Sequence, residues 1–208
     1  MFNQIVEYFI TNSLLCENQF GFRKNRSTDD AIMMFHDKCK QILDQRQTPF
    51  AIFLDLSKAF DTIDHTLLLK KLSFYGFDDS ALKLMASYLS DRKQYVFMDQ
   101  TASDVRRVGV GVPQGSCLGP LLFLIYVNDL PNATELLDYI LFADDTSLFG
   151  AFSKFTADRN ADITIINQEL NKVHVWLNVN KLSLNVSKTK YMIFDNSKFD
   201  TTPHPTEP

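Results

Sequence analysis

The chain has 208 residues, enough for one well-buried domain but short for two, and its 45% hydrophobic and 22% charged residues are ordinary globular composition. The formal net charge of −4 argues against an extensive basic surface. Basic residues nevertheless form three clusters along the chain: Arg23, Lys24 and Arg26; Arg92 and Lys93; Arg106 and Arg107. Each cluster is equally typical of a solvated face. No apolar run approaches the roughly 20 residues needed to span a bilayer, and the three cysteines have no CxxC spacing, which offers no zinc site and suits a reducing compartment.

The first predicted helix covers residues 28–44, with Thr28 or Asp29 as its N-cap. Its apolar residues recur at helical spacing: Ile32, Phe35, Cys39, Ile42 and Leu43. Pro49 ends this segment. The continuous apolar run from Phe50 to Leu54 is typical of a strand buried on both faces, and it stops abruptly at Asp55.

The middle of the chain predicts two helices, a strand and a loop. A helix follows Asp64 and runs through Tyr75, where Gly76 stops it, and a second covers Ser80–Leu89. Residues Gln94–Asp99 are predicted to form a strand. Four glycines and a proline between Gly109 and Gly119 predict a loop.

The last third of the chain predicts a buried helix, a hairpin and an amphipathic helix. Residues Leu118–Asn128 are apolar nearly all round. Two short apolar segments, Tyr139–Ala143 and Thr146–Phe149, flank Asp144 and Asp145 and predict a hairpin with acids at its tip. Tyr191–Phe194 is predicted as the last strand. The amphipathic helix before it is marked by apolar residues three and four apart: Ile163, Ile166, Leu170, Val173 and Leu177.

This order of elements predicts an α+β fold. Strands and helices alternate, yet one hairpin is antiparallel, which indicates a sheet with helices on one face, of the split βαβ (ferredoxin-like) type. Residues 198–208 are predicted to be a disordered tail, because residues 201–208 contain three prolines.

Three aspartates are the candidate catalytic residues. Asp55 ends a buried strand, and Asp144 and Asp145 lie on a hairpin 89 positions later in the sequence, counting from 55 to 144. If the hairpin pairs beside that strand, the three carboxylates converge and two cations about 4 Å apart become possible. An Asp-Asp pair is also ordinary turn chemistry, so the pattern alone leaves both interpretations open.

Five segments in order resemble the motifs of non-LTR retrotransposon (LINE-type) reverse transcriptases. They span roughly residues 14–194, nearly the whole chain. The segments are Gln19-Phe20-Gly21-Phe22-Arg23 with Ser27-Thr28, Phe53 to Asp61 (FLDLSKAFD), Gly111 to Pro120 (GVPQGSCLGP), Phe142 to Asp145 (FADD), and Leu184 to Lys190 (LNVSKTK).

The resemblance implies an RNA-directed DNA polymerase that uses two Mg²⁺ ions, with Mn²⁺ as a substitute. Asp55 and Asp144 would be the main metal ligands, Asp145 an auxiliary one, and the backbone carbonyl of Leu56 a further one. The implied partners are an RNA template, a DNA primer and deoxynucleoside triphosphates. No membrane partner is implied.

The resemblance also implies roles around the nucleotide. Phe60 would lie beneath the incoming sugar and exclude a ribose 2′-hydroxyl, although plain core packing is the alternative in a chain with 18 Phe. Gln114 and Gly115 would approach the new base pair, or form a helix-entry turn. Lys188 would assist the leaving pyrophosphate, or be merely solvated. Arg23 would contact the template or the fingers.

The match is partial at both ends. We expect one reverse transcriptase domain over 1–197, with partial fingers at 1–48 and the palm at 49–197. Upstream fingers strands, a thumb and an endonuclease are expected elsewhere in a longer polyprotein, so the chain alone should synthesise DNA weakly. The alternatives are an inactive, element-derived remnant or nucleic-acid-binding module, and a metal-dependent phosphohydrolase, which would leave the Gln114-Gly115 loop unexplained.

Overall fold

The computed structural model describes residues 1–152 and 159–194, so the predicted tail at 198–208 lies outside the described residues. Within these ranges the chain forms six α-helices: α1 (Phe2–Thr11), α2 (Thr28–Asp44), α3 (His65–Phe74), α4 (Asp79–Leu89), α5 (Leu118–Val127) and α6 (Arg159–Val179). The sequence predicts α2 to α6 but not α1, which buries Ile5 and Phe9. None of the described helices combines the length and apolarity needed to cross a bilayer.

The described strands form one main sheet and a small ribbon. They are β1 (Thr48–Leu54), β2 (Lys93–Gln94), β3 (Phe97–Met98), β4 (Thr101–Ala102), β5 (Arg106–Arg107), β6 (Asp138–Phe142), β7 (Asp145–Phe152) and β8 (Lys190–Ile193). The main sheet has the order β6-β7-β1-β8, and every neighbouring pair is antiparallel. The α+β class is confirmed, and the last strand begins one residue before its predicted start.

Strand β1 is central, between β7 and β8, which explains its continuous apolar sequence. Its alternate side chains join the larger core, which α1, α3, α4, α5 and α6 cover: Phe50, Ile52 and Leu54. On the opposite face, Ala51 belongs to a smaller core, where Phe35 of α2 meets Phe149 with ring centroids 5.7 Å apart. The prediction that helices cover only one face is wrong, because α2 shields the other.

Helix α2 is capped by Ser27, not by Thr28 or Asp29 as predicted. The Ser27 hydroxyl accepts the N–H of Asp30 at 3.1 Å, and the Asp30 carboxylate accepts the N–H of Ser27 at 2.8 Å. Only Ser27 has an acid three residues later that completes this reciprocal pair. Pro49 does not stop the helix, which ends at Asp44; it lies inside β1.

Helix α5 is buried on all sides, as its apolar sequence predicts. The Tyr126 hydroxyl donates to the carbonyl of Asn180 at 2.6 Å, which links α5 to the end of α6. Lys71 of α3 donates to the carbonyl of Tyr126 at 2.7 Å and to the carboxylate of Asp129. Burial lowers the pKa of Lys71 despite that carboxylate. The half-buried Lys71 ammonium therefore binds one of the carbonyl groups that have no partner within the helix at the carboxyl end of α5.

Residues 93–107 form a two-stranded ribbon instead of the single strand predicted over Gln94–Asp99. Strand β2 pairs with β5, and β3 pairs with β4. Between these pairs, the Ser103 hydroxyl accepts the N–H of Val96 at 2.9 Å, which interrupts the ladder. Asp99 and Gln100 turn the chain with φ of +48° and +62°. The predicted strand is wrong for two reasons. Its predicted last residue, Asp99, lies in a turn, and the Ser103 side chain takes the place of a backbone acceptor for Val96.

Candidate active site

The first two candidate ligands lie at one end of the main sheet. The antiparallel register pairs Leu54 of β1 with Thr146 of β7. Asp55 and Asp145 are the next residues beyond that pair on the two adjacent strands. Asp55 is half-buried and Asp145 is exposed. The sheet therefore brings two acids that are distant in sequence to the same edge, where solvent reaches them.

The third candidate ligand lies in the turn of the β6–β7 hairpin. Phe142 pairs with Asp145, which leaves Ala143 and Asp144 as a two-residue turn. Ala143 has φ +57°, and short hairpin turns of the primed types require positive φ at their first position. Asp144 is half-buried. Of the two acids predicted at the tip, Asp144 lies in the turn and Asp145 begins β7.

The acids are close enough to influence each other's ionisation. Desolvation by the neighbouring protein atoms, followed by the charges of Asp144 and Asp55, raises the pKa of Asp145 even though the residue as a whole is exposed, while Lys188 acts in the opposite direction. The Lys188 ammonium lies 3.8 Å from Oδ2 of Asp55. The structure therefore brings the three predicted acids and the predicted lysine together, and their catalytic roles stay predictions.

The donor set suits a hard divalent cation. Carboxylate oxygens are the ligands that Mg²⁺ prefers, usually with one or two carboxylates per ion. Across residues 1–152 and 159–194, no three His, Cys, Asp or Glu side chains already surround one point closely enough to hold an ion. Repulsion among the carboxylates favours such separation, and Asp55 faces Lys188 instead. The residue chemistry fits a divalent cation, which one or two of these carboxylates would hold.

Backbone hydrogen bonds hold the lysine segment against the residues that follow β1. An antiparallel bridge joins Leu56 to Leu184. Asn185 donates its N–H to the carbonyl of Asp55 at 2.8 Å, and Lys188 donates its N–H to the carbonyl of Asn185 at 3.1 Å. The exposed Lys188 side chain therefore projects from a segment anchored beside the acids. The role of the Leu56 carbonyl as a metal ligand stays a prediction.

Phe60 is held by other aromatic rings. Its ring stacks on Phe123 with centroids 4.5 Å apart and planes 25° apart. It also meets Phe22 edge to face, with centroids 6.1 Å apart. The side chain is half-buried, so core packing accounts for part of its surface. Its predicted steric role beneath an incoming sugar stays a prediction.

The glycine-rich loop lies against the segment that follows β1. Gln114 is exposed, and its amide donates to Oδ1 of Asp61 at 2.9 Å. Gly115 has φ +76° and open space where a Cβ would lie. Gly111 of the same loop is crowded: its Cβ would lie 2.7 Å from the carbonyl oxygen of Asp61, and its φ is +81°. The predicted approach of Gly115 to a base pair stays a prediction, and its open surroundings leave room for it.

Arg23 is directed toward its own segment. Its guanidinium donates to the carbonyl of Cys16 at 2.6 Å and to that of Gln19 at 3.4 Å. Burial, and next the charge of Arg26, lowers the pKa of Arg23. The half-buried side chain braces residues 16–23, and a contact with the template stays a prediction.

Sequence reasoning missed one buried residue beside the acids. Gln19 is 3% exposed and hydrogen-bonds both backbone polar groups of Ala143, 124 positions away. Periodicity carries no information about a partner so distant in sequence. The signal that would find it is an amide side chain next to Phe20, in a segment that the fold buries.

The structure combines an antiparallel sheet, acids gathered at one end of that sheet and helices on both faces, an arrangement that fits the class of palm-type polymerase domains. The chain matches the family model described as "Reverse transcriptase (RNA-dependent DNA polymerase)" over residues 1–205. It belongs to the reverse transcriptase family.

Curated relatives come from mobile elements. The chain is 32% identical over 159 residues to the probable RNA-directed DNA polymerase from transposon BS of Drosophila melanogaster, covering 70% of this chain and 17% of that protein. It is 26% identical over 209 residues to the RNA-directed DNA polymerase from mobile element jockey of the same species, covering 93% of this chain and 22% of that protein. The chain spans about a fifth of the length of these relatives. The resemblance to LINE-type reverse transcriptases is confirmed.

Solved structures of telomerase share the fold. One from Candida tropicalis, in complex with the TWJ fragment of telomeric RNA, has a TM-score of 0.64 at 12% identity, covering 98% of this chain and 35% of that chain. Apo telomerase from the same organism, truncated from its C-terminal domain, has a TM-score of 0.65 at 15% identity, covering 95% and 41%. At this identity the likeness shows the fold alone, which is that of a reverse transcriptase palm.

Proposed function

We propose that this chain forms the palm and part of the fingers of an RNA-directed DNA polymerase from a non-LTR mobile element. It would add deoxynucleotides to a DNA primer on an RNA template. The observation that carries the proposal is the convergence of Asp55, Asp144, Asp145 and Lys188 at one end of the sheet. The relatives named as RNA-directed DNA polymerases support the same chemistry.

The carboxylates would hold two divalent cations, Mg²⁺ or its substitute Mn²⁺. Asp55 and Asp144 are the proposed main ligands, with Asp145 auxiliary and the Leu56 carbonyl completing the nucleotide-side position. When bound, such a pair lowers the pKa of the primer hydroxyl and offsets charge on the transferred phosphoryl oxygens. The contribution of the chain is to position the acids. Its paired strands, packed on the larger core, fix the backbone from which the acidic side chains extend.

The surrounding residues would bind and orient the nucleotide. Lys188, anchored beside Asp55, would pair with or protonate the leaving pyrophosphate. Phe60, fixed by its ring contacts, would exclude a ribose 2′-hydroxyl. Gln114 and Gly115, at an open loop surface, would face the new base pair. Arg23 would support the fingers segment near the template.

The proposed domain division follows the strand order. Residues 1–48 belong to the fingers, and the palm begins at residue 49 with β1. The order β6-β7-β1-β8, with α3 to α5 between β1 and β6 and α6 between β7 and β8, supports a split βαβ palm. A thumb and an endonuclease would lie in other parts of a longer polyprotein, consistent with the greater length of the relatives.

The test is single-nucleotide primer extension on an RNA template, with Mg²⁺ and with Mn²⁺. The double variant Asp144→Ala, Asp145→Ala should lose roughly a hundredfold or more of the rate, because bound cations contribute several kcal/mol to transition-state stabilisation. Asp138→Ala is the matched control, since Asp138 is an exposed acid at the other end of the same hairpin. It should extend primers like the unchanged chain.

Each alternative gives a different result in this assay. Extension that survives the double substitution rules out the two-metal assignment. A chain that binds the primer–template but never extends it is a nucleic-acid-binding module. Release of phosphate from nucleotides without a primer identifies a phosphohydrolase.

A further inference from the structure

A buried side-chain amide lies directly behind the aspartate turn. Gln19 is among the few polar side chains that the described core encloses, at 3% exposure. Its Oε1 accepts the N–H of Ala143 at 3.0 Å and the N–H of Gly21 at 2.9 Å. Its Nε2 donates to the carbonyl of Ala143 at 3.3 Å. One amide therefore satisfies both backbone polar groups of the residue that precedes Asp144.

Ala143 needs such support, because it has an unfavourable backbone conformation. Its φ of +57° lies in the left-handed region, which a side chain with a Cβ disfavours. Such conformations persist only where surrounding contacts over-determine them, and they concentrate at functional sites. Relaxation of Ala143 to negative φ would redirect the chain at Asp144 and separate it from Asp55.

The fingers segment comes close enough to supply this support only because residue 21 is glycine. A Cβ on Gly21 would lie 2.2 Å from the backbone nitrogen of Ala143. Backbone bonds hold the same segment to β6: Phe20 donates to the carbonyl of Leu141 at 2.8 Å, and Leu141 donates to that of Asn18 at 2.8 Å. The amide is thus held rigidly against the turn.

We propose that Gln19 is a positioning residue for the hairpin acids. By fixing Ala143 in its left-handed conformation, it orients Asp144 and Asp145 toward Asp55 for binding a divalent cation. This inference rests on the proposed function, since it assumes that the acids bind cations together. It adds a structural link from residues 18–21 to the proposed metal site.

The test measures Mn²⁺ binding to the whole chain by electron paramagnetic resonance, without nucleotide or primer, per mole of folded protein. Gln19→Met keeps the volume but removes all three hydrogen bonds, and should weaken Mn²⁺ binding by about tenfold or more, as for the loss of residues that orient metal ligands. Gln41→Met makes the same chemical change on the exposed face of α2 and should leave binding unchanged.

Rescue separates positioning from core filling. Glycine adopts positive φ freely, so adding Ala143→Gly to Gln19→Met should restore part of the lost affinity. A residue that only fills space would change the unfolding midpoint without changing Mn²⁺ affinity, and Ala143→Gly would not rescue it.

The outcomes for the two proposals are distinguishable. Binding that Asp144→Ala, Asp145→Ala leaves intact overturns the proposed function. Binding that depends on those acids, yet is equal in folded Gln19→Met and in the unchanged chain, overturns only the positioning role. If Gln19→Met does not fold, Gln19→Asn replaces it: its shorter amide cannot reach both Gly21 and Ala143, and wild-type affinity in that variant overturns the proposal as well.

Discussion

The surroundings of Asp145 oppose its ionisation. Its folded-state pKa is raised above the ordinary 3.8 by desolvation and by the charges of Asp144 and Asp55. The folded chain therefore retains a proton that the unfolded chain has lost, and stability falls as pH rises from about that ordinary value through the raised one. Above this window the ionised carboxylate continues to oppose folding.

Asp145→Asn should therefore stabilise the metal-free chain at neutral pH. The effect comes from removing like-charge repulsion at a site shaped for function, where stability and activity commonly conflict. Thermal unfolding with a chelator present, at pH 7, should show a higher midpoint for Asp145→Asn than for the unchanged chain. Asp138→Asn, on the same hairpin but away from the other acids, should show little change. A lower midpoint for Asp145→Asn would mean that the carboxylate has a stabilising partner instead.

The pKa of Glu169 is shifted in the opposite direction to that of Asp145. It is buried, and it accepts hydrogen bonds from the Thr134 hydroxyl at 2.7 Å, the Glu135 N–H at 2.9 Å and the Leu136 N–H at 3.3 Å. Lys172 lies 2.7 Å from its other oxygen. The bond from Lys172 is the largest of the causes that lower the pKa of Glu169 from 4.5 to about 2. Its stabilising contribution is complete above pH 4.5 and is lost as pH falls toward 2.

Glu169→Gln should destabilise the chain by about 2 kcal/mol at pH 7, because the amide is neutral and has only one accepting oxygen, so its NH₂ group faces either Lys172 or the donors of residues 134–136 without accepting from them. It should also flatten the loss of stability between pH 4.5 and about 2. Urea unfolding at pH 7 and pH 3 measures both effects. Glu135→Gln is the control: its side chain is 83% exposed, so it should change stability by less than about 0.5 kcal/mol. Equal acid sensitivity in both variants would contradict the assignment.

Individual residues differ in how far the sequence predicts them. Asp55, Asp144 and Lys188 follow or lie within short segments with recognisable patterns, so local sequence is enough to select them. Gln19 has no such pattern, because its role depends on Ala143, 124 positions away. Contacts of this kind arise only after the sheet and residues 18–21 have packed together.

At the scale of elements, helices α2 to α6 and the main strands are predictable, because burial leaves periodic or continuous apolar patterns in their sequences, whereas α1 is not predicted. The ribbon at 93–107 is not, because its side chains are largely exposed and its pairing depends on Ser103 and a turn at Asp99 and Gln100. The sequence also does not predict that a helix covers the second face of the sheet. The pattern of α2 predicts an apolar stripe but not which face of the sheet that stripe covers.

The N-cap of α2 gives a direct test at this scale. Ser27→Ala should destabilise the chain by about 1 kcal/mol, because it removes the acceptor for the Asp30 N–H. Thr28→Ala, one residue further on, should cost little, since Thr28 is exposed and makes no capping bond. Chemical denaturation of the two variants compares them. A larger loss of stability in Thr28→Ala than in Ser27→Ala would support Thr28, predicted from the sequence, as the N-cap.

The packing of residues 18–21 on β6 depends on one glycine. Gly21→Ala would bring a Cβ within 2.2 Å of a backbone atom that cannot move without breaking the hairpin. We expect a loss of about 3 kcal/mol, at the upper end of overpacking effects. Gly109→Ala is the control, because nothing lies within 4 Å of its Cβ position. Denaturation midpoints that are equal for the two variants would show that residues 18–21 do not pack as described.

At the scale of the whole molecule, charge opposes the proposed substrate. The formal net charge is −4, and the hairpin acids lie where phosphates would approach. Without cations, these acids should repel a primer–template, whereas bound cations should reverse the sign of the interaction. Composition alone shows the repulsion but not its reversal, because the reversal requires the acids to lie together.

Removing the hairpin acids should therefore have opposite effects on duplex binding with and without divalent cations. Asp144→Ala, Asp145→Ala changes the formal net charge from −4 to −2, so in a chelator it should bind an RNA–DNA duplex roughly threefold more tightly than the unchanged chain. With Mg²⁺ the order should reverse, since only the unchanged chain gains cations at the site. Fluorescence anisotropy at two salt concentrations measures both, and the difference in the chelator should shrink at higher salt. Asp138→Ala should show no reversal. Tighter binding by the double variant in both conditions would mean that cations at this site do not contribute to holding the duplex.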